Sequence, residues 1–211
     1  MNQKFIKTPL IIVLFILGYA IIRYNFLKGI SLQHLPVFIL NKSISATAAI
    51  MISLSFYPFQ DKARKIFYGI GGFFLSGIHL LMSFLVLNPV LFAKFYENNA
   101  LNIWGESSLA FGIFAFAFLA LSATGSVIEE LQKKSQYYKY RWLNYAALVG
   151  IQLHLIFTGI RGWFDIKHWP GSLPPITLVS FLAVAGIYIA GMVKKKTANQ
   201  ENQSDQKAMT V

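Results

Sequence analysis

An all-α bundle of six membrane-crossing helices is the fold class this sequence predicts, on three observations. Its 211 residues are 55% hydrophobic and 16% aromatic but only 13% charged, well short of the charge a soluble domain carries. The apolar residues gather into blocks of about 17–25, the length of helix that crosses a bilayer. The lysines and arginines behind the net charge of +11 fall mainly between those blocks and after the last one. There they orient a membrane protein, so no nucleic-acid partner is expected. Cysteine is absent, which excludes disulfides, thiolate metal sites, iron–sulfur clusters and covalent haem attachment. With no Gly-rich phosphate loop or βαβ pattern, no nucleotide-binding domain is expected either.

The first predicted span, 8–27, follows a short basic lead and is interrupted by Arg23. Its TPLIIVLFILGYAII also fits a signal-peptide core; apolar character resuming at Tyr24–Leu27, with no clear small-x-small cleavage site, favours a retained anchor. The second span covers 43–60, ahead of the charges Asp61, Lys62, Arg64 and Lys65. The third, 66–88, carries His79; the fourth covers 107–127; the fifth, 142–162, carries His154 within AALVGIQLHLIFTGI. The sixth, 174–193, stops at Lys194, Lys195 and Lys196, leaving 1–196 as the transmembrane domain and 197–211, TANQENQSDQKAMTV, as an expected disordered tail. Thirteen basic residues fall on the side of the termini and six on the other. The positive-inside bias therefore predicts both termini in the cytoplasm and a multi-pass protein of the inner (plasma) membrane. The outer loops are then 28–42, 89–106 and 163–173.

Two histidines stand at one predicted depth. His79 lies 14 residues after Lys65 and His154 lies 13 after Arg141, so each is roughly 20 Å beyond the inner basic flank. Each also lies on a lane of small or weakly polar residues: Gly72, Ser76 and Ser83 with His79, and Ala147, Gly150, Thr158 and Arg161 with His154. Three readings fit. The lanes are helix-packing seams with hydrogen-bonded histidines, as in a scaffold; or the histidines relay protons in a proton-coupled transporter; or they are the axial ligands of one non-covalent b-type haem between the third and fifth spans. No Asp or Glu falls deep within a span, which weighs against the transporter. Two opposed imidazoles on one iron also remove the cost of an unpaired ring in hydrocarbon, and the haem reading is preferred. On it, Gly72, Ser76 and Gly150 give room to the porphyrin. Arg161 meets a propionate or snorkels to the interface, and Ser83 and Thr158 orient the imidazoles or bond back to their own helices.

At RKIFYGIGGFFLSGIHLL (64–81), FLALSATGS (118–126) and YRWLNYAALVGIQLH (140–154) the chain resembles the ferric reductase-like transmembrane domain, a six-helix haem-binding module. Within that superfamily it is most similar to the YedZ/MsrQ-type haem-binding membrane subunits, and more distantly to the STEAP metalloreductases and NADPH oxidases. The resemblance spans about 43–193. It implies electron transfer from a cytoplasmic flavin (FMN or FAD, on a flavin reductase) or a quinol toward an outer-face acceptor, either a periplasmic protein such as a methionine sulfoxide reductase or a metal ion. Where the family often has a further histidine thirteen residues before the one matched by His154, this chain has Arg141, so a single haem is expected. Arg141, Lys139, Lys134 and Lys133 either hold a flavin phosphate or acidic donor, or simply follow the positive-inside bias. In the outer loops, His34, Asp165 and His168 either take up ferric or cupric ion or are merely exposed. Lacking a catalytic acid–base pair or nucleophile, the chain reads as an oxidoreductase subunit rather than a self-contained enzyme.

Overall fold

A computed structural model describes residues 3–58, 60–132 and 137–208, with side chains over 7–58, 60–124, 142–197 and 200. Its helices are α1 (Gln3–Ala20), α2 (Leu40–Ser55), α3 (Lys62–Val86), α4 (Ile103–Gln132), α5 (Tyr137–Trp163) and α6 (Ile176–Ala208). Each of the six contributes to a segment long and apolar enough to cross a membrane. Large apolar side chains such as Phe15, Phe74, Leu81 and Leu85 are exposed on their outer faces, as a lipid environment favours and water does not. The even count returns the start of α1 and the end of α6 to one end, opposite an end built from the longer connections.

Caps and turns set the helix limits. The Asp61 carboxylate accepts from the Arg64 N–H at 2.8 Å and starts α3. Asn102 accepts from the N–H groups of Trp104 and Gly105, both at 3.1 Å, and starts α4. Between them a hairpin pairs β1 (Tyr96–Glu97) with β2 (Ala100–Leu101) through Asn98 and Asn99, both at positive φ, the turn that short hairpins prefer. α1 continues through a π-helical segment, Ile21–Leu27, and the Arg23 Nε–H donates to the Leu173 carbonyl at 3.1 Å.

Two boundaries depart from expectation. The segment 28–42, expected as an outer loop, is mostly helical: a short 3₁₀ turn at Leu32–His34 and a π-helical turn at Leu35–Ile39 lead directly into α2. Pro36, at the start of that turn, supplies a φ suited to helix entry, so Asn41 and Lys42 belong to a helix long and apolar enough to span a membrane. At the other end of the chain, α6 runs on to Ala208, through most of the segment expected as a disordered tail. No Pro or Gly follows Gly191, so nothing in the sequence stops the helix.

α2 is the hub. In its span 61% of the most apolar window is buried, against 11–33% in the other five, and it packs on α1, α3 and α6. NKSISATAAIMISLS suits that place: small residues admit close neighbours, and Ser43, Thr47 and Ser53 donate to carbonyls four residues back at 2.8–3.0 Å. The other intimate pairing joins α4 to α5. The bundle is therefore two tight antiparallel pairs, α2–α3 and α4–α5, with α1 and α6 set against them. Ala49, Ile52, Leu119, Ala147, Leu148 and Val184 form the core where the pairs and α6 meet.

Candidate functional site

A cavity opens between the two pairs. Ser45, Ala48 and Ala49 of α2 and Gly112 and Ala115 of α4 line it with small surfaces, and His79 and His154 project into it from α3 and α5. The two imidazole centroids are 6.1 Å apart with their planes at 71°.

Each ring is held by its own helical pair. The His79 Nδ1–H faces the Asn41 side-chain oxygen of α2 at 2.7 Å, and the His154 Nδ1–H faces the main-chain carbonyl of Ser108 on α4 at 2.7 Å. Neither oxygen can donate, so both rings carry their proton on Nδ1. Nε2 is then left as a lone pair on each ring, the tautomer a metal ligand requires. One turn on, Ser83 and Thr158 donate to the carbonyls of His79 and His154 at 2.7 and 2.6 Å. The Asn41 amide also donates to Ser83 at 3.2 Å, and Ser108 bonds Thr158 at 2.6 Å. These bonds tie each ring, its acceptor and its hydroxyl into one unit.

The remaining expected site residues are spread more widely. Ser76 lines the cavity while donating to the Gly72 carbonyl at 2.9 Å. Gly72 faces α2: a Cβ there would lie 2.7 Å from Ile52 Cγ1 and 3.0 Å from Ile52 N. Gly150 faces α4, where a Cβ would come 3.0 Å from that of Ala115. Both glycines thus give room to a neighbouring helix. Arg161 is exposed, its guanidinium 5.6 Å from the Trp104 ring centre. Arg141, Lys139, Lys134 and Lys133, on which the single-haem and donor-docking expectations turn, lie outside the residues whose side chains are described. In the loops, His168 bonds Asp165 at 2.6 Å and is fully exposed; the carboxylate raises its pKa by hydrogen bond and charge. His34 stands apart, and among the described residues no three His, Cys, Asp or Glu converge as a metal site.

Asn41, Ser108 and Gly112 were missed in the sequence. Asn41 was hidden by its assignment to a loop. Ser108, Gly112 and Ala115 recur at helical spacing on α4, a lane like those on the histidine helices. Gly112 is there for the ring: a Cβ would lie 3.0 Å from His154 Nδ1.

Two imidazoles with no third protein ligand among the described residues suit a metal that brings the rest of its coordination with it, as iron in a porphyrin does. The small-residue walls suit a flat ligand, so these residues fit a haem. No protein-family model and no characterised protein matches the chain.

Proposed function

We propose that this chain binds one non-covalent b-type haem between His79 and His154 and acts as an electron-transfer subunit in a membrane. The observation that carries the proposal is the pair of rings 6.1 Å apart, each with Nδ1 committed to a carbonyl oxygen and so with Nε2 left to bind. Bound haem supplies a one-electron iron couple. The chain's own residues do the rest. Asn41 and the Ser108 carbonyl hold the rings in the ligating tautomer, and such partners typically carry about 10–100-fold in metal affinity. Leu80, Leu109, Ile113, Phe116 and Leu155 keep the site apolar, which tunes a redox centre by limiting water and lowering the local dielectric.

The resemblance to ferric reductase-like transmembrane domains, through His79, His154 and the motifs around them, supports the same reading. On it, both termini are cytoplasmic, a flavin reductase or quinol donates, and a protein or metal ion outside the membrane accepts. The test is the colour of the full-length protein purified from haem-replete cells. One haem per chain and a reduced b-type spectrum are expected, lost in His79→Ala and His154→Ala. A folded but colourless protein would end this reading, and more than one haem per chain would overturn the single-site part of it.

A further inference from the structure

Beside the histidines, at the end built from the longer connections, Arg23, Lys28, Lys42 and Lys94 form a chain of mutually repelling cations. None of the four pairs with a carboxylate among the described residues. Lys42 is the most confined: its ammonium lies 4.5 Å from the ring centre of Phe38 and 5.1 Å from those of Tyr24 and Phe92. It has no hydrogen-bond acceptor among the described residues. Aromatic faces attract a cation but do not accept conventional N–H hydrogen bonds, so beside other positive charges the three N–H donors of Lys42 stay available to an anion. Lys94 is exposed, with its ammonium donating to the Thr158 carbonyl and lying 4.9 Å from the Phe95 ring centre.

Each lysine belongs to one histidine's unit. Lys42 follows Asn41, the acceptor for His79, and lies within electrostatic range of that ring. Lys94 grips Thr158, which bonds the His154 carbonyl, and lies within electrostatic range of that ring. Arg161, the propionate partner expected from the sequence, is over Trp104 instead. We propose that Lys42 and Lys94 each bind one carboxylate of a single dianionic ligand seated between the histidines. This rests on the haem reading, in which those carboxylates are the two propionates. Two ammonium groups, one carried by α2 and one bonded to the Thr158 carbonyl of α5, suit two acids on one flat ligand better than one compact phosphate, which needs donors converging on a point.

The test follows haem transfer from the full-length holoprotein to excess apomyoglobin by absorbance. Lys42→Gln and Lys94→Gln are each expected to release haem about tenfold faster than wild type, the scale of one charge-assisted hydrogen bond. Arg161→Gln is expected to change the rate less than either. A second arm needs no substitution: wild type reconstituted with haem dimethyl ester, which lacks the carboxylates, should release it as fast as the Lys42→Gln/Lys94→Gln double variant releases haem. If the ester is retained as firmly as haem, the inference is overturned and the histidine ligation stands. If the wild-type protein shows no haem spectrum, the ligation itself falls, and this inference with it.

Discussion

The α2–α3 and α4–α5 pairs solve the same problem with different parts. Each presents one imidazole to the shared cavity and takes its Nδ1 proton on an oxygen of the partner helix, and each adds a hydroxyl four residues on. In α2–α3 the acceptor is the side chain of Asn41; in α4–α5 it is the main-chain oxygen of Ser108. A side-chain acceptor can be deleted by mutation, whereas a main-chain acceptor survives any substitution that leaves the helix in place. In the proposed haem site the two histidines are therefore equivalent ligands that differ in how easily their orientation is lost.

Four expected outcomes bear on that comparison, from the largest effect to the smallest. Loss of either ligand should abolish the haem spectrum, so His79→Ala and His154→Ala should be indistinguishable by difference spectroscopy. Full haem occupancy in just one of them would break the symmetry of the pairs. Next, Asn41→Ala should lower haem affinity about 10–100-fold, while Ser108→Ala, which keeps the carbonyl, should lower it by clearly less in the same titration. Equal losses would show that the hydroxyl of Ser108 outweighs its main-chain oxygen.

The packing glycines offer a smaller contrast. Gly72→Ala sets a Cβ against backbone and side chain of Ile52 at 2.7–3.0 Å, whereas Gly150→Ala meets Ala115 at 3.0–3.3 Å. Thermal unfolding in detergent should show Gly72→Ala costing about 1–3 kcal/mol and Gly150→Ala less. The reverse order would mean that α4–α5 is the more rigid pair. Least of all, His168→Ala should leave the spectrum unchanged, because that ring stands exposed in the loop after α5. Its folded pKa is raised by Asp165, so whatever the pair contributes is present below the unfolded value of about 6.5 and fades as pH rises through the folded one. A proton-resonance titration should find His168 above that reference value in wild type and back near it in Asp165→Asn.

Much of this arrangement was legible in the residues. Blocks of apolar sequence with charged ends located the six spans, because crossing a bilayer imposes a length and a composition that are local properties of the chain. His79 and His154 could be set at one height by counting from basic flanks, because rise per residue in a helix is constant. The helical character of 28–42 was not legible: Asn41 and Lys42 look like loop residues until the cation is seen among Tyr24, Phe38 and Phe92, three rings supplied by separate segments. The continuation of α6 to Ala208 was missed because polar composition was read as disorder, although no helix breaker interrupts it.

Read alone, the residues set out a helical protein with six segments long and apolar enough to cross a membrane, and two histidines at matched distance from the basic flanks of separate helices. Helix length, hydropathy and axial rise are set within each segment, without reference to its neighbours. Only the tertiary structure decided which faces meet. It turned the Gly72 and Gly150 lanes toward α2 and α4, brought the two rings to 6.1 Å, and gave each an acceptor 38 or 46 residues away. Rotation of a helix about its axis is chosen by packing against other helices, and small residues at helical spacing permit a close approach without saying by what.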